Sequence, residues 1–241
     1  MERMRSMVRF IIDSQVFEKL PDACFGIVAA RGIDNSRRAE SITQMLREQE
    51  ESFKARKAEV NLKEDGDILP YREAFYTLGM NPNKFMCSIE ALGKRVQKGH
   101  ALPEINSIVD LGNAFSLKYV LPMGAHDIGK LDGDLEVRFS VEEDTFLPLG
   151  ETEAEKPGAG ELVYVSSHTV KTRRWIWRQS DDGKITEDTK DVFFPIDGFL
   201  GKNDGKILAA RDELAKFIEK EFGCKAEFDF LTAEHNVFEF E

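Results

Sequence analysis

The run Arg173-Arg174-Trp175-Ile176-Trp177-Arg178-Gln179 is the most unusual stretch of this sequence. Aromatic rings interleaved with guanidinium groups can stack a base or a ribose and hold phosphates. Lys171 adds to its charge and makes it the best basic patch of the chain. Taken as a strand over 171–178, it sends Arg173, Trp175, Trp177 and Gln179 to one face and Arg174, Ile176 and Arg178 to the other. The same spacing fits two core tryptophans with Arg173 at the rim. His126 and Asp127 follow Pro122 and Gly124, in a loop where backbone amides can approach a ligand. A histidine there can be a general base or hold a ribose or phosphate; it can equally be a loop residue paired with Asp127.

Asp110 and Asn113 stand three apart in a helical pattern and share a face. They can orient a water or a substrate amino group, or tie down a neighbouring loop. His126, Asp127, Asp132 and Asp134 lack metal-ligand spacing, so the sequence implies no metal and no cofactor. His168 lies beside Ser166 and Ser167, but no nucleophile elbow surrounds either serine. A P-loop and a dinucleotide fingerprint are both missing.

The elements that must position these groups follow from patterning. With 241 residues, 41% of them hydrophobic, the chain can bury a sizeable core. Strands are expected over 7–12 and 24–30, then a long helix over 36–58 with Asp34 or Asn35 as its cap and Ile42, Met45, Leu46 and Phe53 as its stripe. Helices over 67–78, 88–98 (with Ser88 as N-cap) and 105–118 come next. Strands are expected over 135–141, 162–165, 171–178, 192–196 and 225–230, with a helix over 203–222. Helices and strands fall in blocks, which indicates an α+β fold, a single domain over 1–241 with a mixed, largely antiparallel sheet core and packed helices. Within it, 1–60 carries the N-terminal strands and long helix, and 61–241 the core motifs.

Charge and cysteine usage narrow the function. A formal net charge of −11 argues against a general RNA-coating protein, although a local basic patch can still grip RNA. Cys24, Cys87 and Cys224 are scattered and form no CxxC, so neither a disulfide framework nor a cysteine zinc site is expected. The N-terminal apolar stretch is too short and too charged for a signal peptide, and no run reaches the roughly 18 residues of a membrane span. The expectation is a cytoplasmic protein that does not enter a membrane.

The middle of the chain carries a resemblance. Leu102-Pro103-Glu104-Ile105-Asn106-Ser107-Ile108-Val109-Asp110-Leu111-Gly112-Asn113, then Leu121-Pro122-Met123-Gly124-Ala125-His126-Asp127, Leu131-Asp132-Gly133, Arg138, Gly160-Glu161 and the Arg173–Gln179 run occur in this order. Together they resemble the editing, tRNA-binding domain of the phenylalanyl-tRNA synthetase β subunit, and in particular its free-standing homologues. That resemblance implies an α+β fold, tRNA or aminoacyl-tRNA as partner, and hydrolysis of the ester of a misacylated tRNA in trans. By the same resemblance the synthetase domain's pocket histidine is replaced by Gly124, with His126 two positions on. A glycine-rich stretch bearing a Glu that reads a tyrosine hydroxyl becomes Arg173–Gln179, with Gln179 near the Glu position. Both departures bear on tyrosine specificity rather than on the fold. Asn113, His126 and Gln179 are the candidate catalytic residues; Asp110, Arg173, Arg174, Trp175 and Arg178 are the candidate substrate- or RNA-binding residues. A non-catalytic tRNA- or RNA-binding module, or a pocket turned to a free amino acid or other small ligand, are the alternatives.

Overall fold

Two apolar runs lie at the centre of the molecule, a computed structural model that describes residues 7–241. The chain opens with β1 (Val8–Ile12) and a short helix α1 (Ser14–Lys19), capped by the Asp13 carboxylate, which accepts from Gln15 N. Next come β2 (Ala23–Ala30), α2 (Glu40–Lys57), α3 (Leu69–Thr77), α4 (Ser88–Gln97) and α5 (Ser107–Tyr119). The two-residue strand β3 (His126–Asp127) leads to β4 (Leu135–Phe139), β5 (Leu162–Ser166), β6 (Thr169–Arg173), the two-residue β7 (Arg178–Gln179) and β8 (Val192–Phe199). Helix α6 (Asp204–Phe222) and strands β9 (Ala226–Leu231) and β10 (Val237–Phe240) complete the described chain.

The strands form two sheets, ordered β10-β1-β4-β5-β6-β7 and β3-β8-β2-β9. The β1–β4 pair is parallel and the other strand pairs are antiparallel. This is an α+β fold with mixed, largely antiparallel sheets. No helix among the described residues is long and apolar enough to cross a membrane.

β2 and β8 are buried along their whole length, because the smaller sheet is covered on both faces. Phe25, Ile27, Ala29, Phe193 and Phe199 point into the core shared with the larger sheet, beside Phe10, Tyr164 and Trp175. Cys24, Val28, Ala30, Phe194 and Ile196 point the other way, onto Ile108, Leu111 and Phe115 of α5 and Ile207, Leu214 and Ile218 of α6. That double burial explains why these segments read as continuous apolar runs rather than alternating ones. Odd-numbered positions of β8 therefore face the larger sheet, and Asp197 is one of them.

Several expectations shift. The long helix starts at Glu40 rather than 36, with Ala39 at its N-cap. Asp34 instead accepts from Ser36 N and Oγ in a local turn, and Asn35 bridges Thr186 O and Ile108 N. Cys87, not Ser88, is the N-cap of α4, and Ser88 N donates to Ile176 O. The strand over 171–178 does not exist as one element: it breaks into β6 and β7, joined by a turn in which Arg174 and Trp175 take positive φ of 50° and 59°.

Helices α3 and α4 are locked by a buried ion pair. Arg72 Nη1 donates to both Glu90 oxygens at 2.8 Å, its Nη2 donates to Asn83 Oδ1, and Lys94 Nζ reaches Glu90 Oε1 at 2.6 Å. Removing one partner leaves the other charge desolvated. Arg72→Ala is expected to cost about 3–5 kcal/mol of unfolding free energy in urea titrations. A loss below about 1 kcal/mol would show that Lys94 alone compensates Glu90.

Candidate functional site

A cavity of about 310 Å³ opens where the two sheets face each other. The smaller sheet contributes His126 from β3 and Pro195 and Asp197 from β8; the larger contributes Tyr164, Thr172, Arg178 and Gln179. The turn between β6 and β7 adds Trp175, Ile176 and Trp177. Ser88, Ala91 and Leu92 of α4 and Asn113 of α5 close the remaining sides.

Its floor holds a carboxylate almost fully removed from water. Asp197 is 2% exposed, and two donors converge on its Oδ1: Tyr164 Oη and Trp175 Nε1, each at 2.6 Å. Burial pushes this carboxyl up to about 7, and the two hydrogen bonds hold it down from rising further. Its main chain is fixed as well. Tyr71 Oη donates to Asp197 O at 2.8 Å and accepts from Asn203 Nδ2 at 2.8 Å, while Asn203 Oδ1 accepts from Phe199 N.

His126 packs over Tyr164 with ring centroids 5.2 Å apart and planes 20° from parallel. Burial, then the charge of Lys171, bring its imidazole down to about 3. It is neutral at physiological pH, so it is a hydrogen-bonding group rather than a phosphate clamp or a strong base. Its Nδ1 has no hydrogen-bond partner among the described residues, and it is not paired with Asp127, which accepts from Gly129 N and Thr189 Oγ1. Gln179 Nε2 donates to Ala125 O at 2.8 Å and Gly183 O at 3.3 Å, which fixes the loop before His126 and leaves Oε1 as an acceptor. Among the described residues, the Asn113 amide and the Arg178 guanidinium have no hydrogen-bond or ion-pair partner; Arg178 is exposed at the cavity mouth. The three candidate catalytic residues thus border one cavity, together with Arg178 and Trp175.

Asp110, Arg173 and Arg174 do not reach it. Asp110 is fully buried in the first turn of α5, where Oδ1 accepts from Ile105 N at 2.9 Å and holds the incoming loop. Arg173 pairs with Glu155 and, at 2.8 Å, with Glu161. Arg174 lies over the rings of Phe85 and Trp177, 3.9 and 4.7 Å from their centroids, and reaches Glu161 at 3.3 Å. Because the chain turns after Arg173, the anticipated common face of Arg173, Trp175, Trp177 and Gln179 is not formed. Trp175 turns wholly into the core, Trp177 borders the cavity, and Arg173 pairs across the hairpin with Arg178. His168 faces Asp144 at 3.1 Å, and Ser166 Oγ accepts from Asp132 N, so these residues form no serine–histidine pair. Among the described residues, no group of three or more His, Cys, Asp or Glu is placed to hold a metal.

Asp197 is the residue that pattern reading passed over. Its signal was a single acid inside the apolar run 192–199. An acid in a strand with no polar alternation is destined for the interior, where its charge needs a purpose.

The model of the B3/4 domain family matches residues 70–224, a span that contains every residue lining the cavity. No curated protein matches the chain. Among solved structures, the chain is similar to an N-terminal fragment of the phenylalanyl-tRNA synthetase β-subunit from Pyrococcus horikoshii, with 15% identity and a TM-score of 0.47. The likeness covers 93% of this chain and 52% of that one, so the chain spans about half the length of that fragment.

The Asp197 environment makes stability depend on pH. In the folded protein the carboxyl keeps its proton up to about 7, against an ordinary value of 3.8. Between these values the folded state holds a proton that the unfolded chain has released. Stability therefore falls as pH rises through that window and levels off above it. Asp197→Asn keeps the acceptor for Tyr164 and Trp175 but removes the titration. Its Tm is expected to match wild type near about pH 4 and to exceed it near about pH 8. A variant less stable than wild type at the higher pH would sink this assignment.

Proposed function

The chain belongs to the B3/4 domain family, and we propose that, like the synthetase β-subunit domain that its motifs resemble, it hydrolyses the ester of a misacylated tRNA, here in trans. The observation that carries this reading is the convergence of Asn113, His126 and Gln179 on one cavity, which is also lined by an exposed arginine, Arg178, without an acidic partner among the described residues. An aminoacyl ester is activated and needs no covalent nucleophile. A water held by the neutral His126 ring attacks the carbonyl carbon, and the Asn113 amide donates to the oxyanion that develops. The carbon–oxygen bond to the ribose then breaks, and the proton lost by the attacking water passes to the leaving oxygen, with the neighbouring ribose hydroxyl as relay. Gln179 Oε1 is an acceptor for a polar group of the aminoacyl moiety. Arg178 meets the terminal nucleotide or its phosphate. The reaction takes place where the tRNA is, in the cytoplasm.

One observation favours a second reading, a pocket for a free amino acid or similar small ligand. Arg173 and Arg174 are neutralised by Glu155 and Glu161, which leaves Arg178 as the one guanidinium of the run without an acidic partner among the described residues. A free amino acid offers its carboxylate to that same group.

Purified protein incubated with a panel of correctly and wrongly charged tRNAs separates these readings through loss of the aminoacyl label. Selective loss from one mischarged species is expected. Asn113→Ala should slow it by about 100-fold, and Arg178→Ala should weaken tRNA binding and reduce its salt slope by about one. No loss from any species, with intact tRNA and folded protein, would refute hydrolysis and leave the binding readings.

A further inference from the structure

We infer that the Asp197 carboxylate seats a primary ammonium group of the ligand, which is the α-amino group where the ligand is an aminoacyl ester as proposed above. The geometry at the two oxygens differs. Oδ1 is saturated by Tyr164 and Trp175, whereas Oδ2 has no hydrogen-bond partner among the described residues although Asp197 lines the cavity. Oδ2 is also not among the polar atoms sealed from the surface, unlike Asp110 Oδ2 and His126 Nδ1. A desolvated carboxylate is ordinarily matched by a lysine or arginine. Among the described residues no cation acts on Asp197, since its surroundings bring only burial and the Tyr164 and Trp175 hydrogen bonds. Arg178 stands at the exposed mouth and makes no contact with it. The protein thus supplies an anion at the cavity floor and leaves its counter-charge to the occupant.

The class of cation follows from the lining. Asp197 is the single acidic residue there among the described residues, and a hard metal ion gathers six or more oxygen ligands. A primary ammonium needs one strong acceptor and can give its remaining protons to neutral groups, such as the Asn113 carbonyl and Gln179 Oε1. Leu92, Met123, Ile176 and Trp177 offer apolar wall to whatever the amine carries. Replacing the amine proton by an acyl group removes the charge and adds bulk at the most confined point, so blocked amines are excluded.

The other titratable groups around Asp197 keep one state near neutrality. Tyr164 on β5 and Tyr71 on α3 are raised well above the usual phenol range, Cys24 on β2 is pushed up by burial, and Cys87 is pushed up to about 12. His126 on β3 is held down to about 3. Asp197 is the group whose ionisation changes between about pH 6 and pH 8, and a cation binds only its ionised form.

The indole Nε1–H of Trp175 touches the same carboxylate and reports its state in proton–nitrogen NMR spectra. Phenethylamine and isopentylamine, which carry an ammonium and no carboxylate, are titrated against wild type and Asp197→Asn, with N-acetyl-phenethylamine as control. A saturable shift of the Trp175 signal is expected with at least one amine, tightening about tenfold from pH 6 to pH 8. It should be absent with the acetylated compound and weakened at least tenfold in Asp197→Asn. Equal binding of the acetylated compound, equal binding by the variant, affinity that does not rise with pH, or no response to either amine overturns the inference. In the deacylation assay, a protein that cleaves N-acetyl-aminoacyl-tRNA as fast as the unblocked form also overturns it while leaving the hydrolase reading standing. Amine binding by a protein that cleaves no tRNA leaves the inference and removes the hydrolase.

Discussion

The site depends on keeping a carboxylate where burial strips away most of its solvation. Isolated, a buried charge is among the most unfavourable features a fold can carry. Here Asp197 is made tolerable by two aromatic donors on one oxygen and by a main chain fixed through Tyr71 and Asn203. Each donor imposes a demand elsewhere. Trp175 reaches inward because the chain reverses through two consecutive left-handed residues, Arg174 and Trp175, a conformation that side chains rarely adopt. The turn is held by Trp175 N donating to Leu162 O and by the Arg174 guanidinium over Phe85 and Trp177. Gly198 follows from the same requirement: a Cβ there would run into Asn203 and Ile207, and Asn203 is what orients Tyr71.

Charge is distributed on the same logic. The chain is strongly acidic, and most of the arginines that looked like a nucleic-acid patch are consumed internally. Arg173 and Arg174 hold the segment carrying Glu155 and Glu161 against the hairpin. Their structural work leaves Arg178 as the exposed positive group lining the cavity, whereas Asp197 is its buried acid. A ligand entering the cavity therefore meets a field that runs from positive at the rim to negative at the floor. A molecule with an amine and an anionic or carbonyl end is oriented by that field before any specific contact forms.

What was legible in the sequence was what depends on local periodicity and on motif order. The stripes of α2 and α5, the glycine stop after α6 and the α+β arrangement follow from spacing that neighbouring residues impose. Asn113, His126 and Gln179 were singled out through motif order, and they border one cavity although they lie on α5, β3 and β7. The illegible parts are those that only tertiary context decides. The Arg-Arg-Trp run has the composition of a strand, but it turns at Arg174 and Trp175, and the Trp175 indole reaches the Asp197 carboxylate. Asp110 looked like a partner for Asn113 because a helical spacing of three cannot distinguish a cavity from a loop anchor. β3 and β7, two residues each, are too short for any period to mark.

Asp197 shows why the missing signal was physical rather than statistical. A lone acid in an apolar strand has two stable outcomes. It can pair with a buried cation, as Glu90 does with Arg72, or stay uncompensated where a ligand can reach it. Sequence spacing cannot separate these, since the partner is distant in the chain in either case. Only the sheet register decides, by placing Asp197 on the face of β8 that looks across at Tyr164 and Trp175 and not toward α6. Once that face is set, the fold supplies hydrogen bonds without charge, and the carboxylate remains half committed between its protonated and ionised forms. A group in that condition responds to whatever occupies the cavity, whereas Glu90, already neutralised by Arg72 and Lys94, has nothing left to recognise.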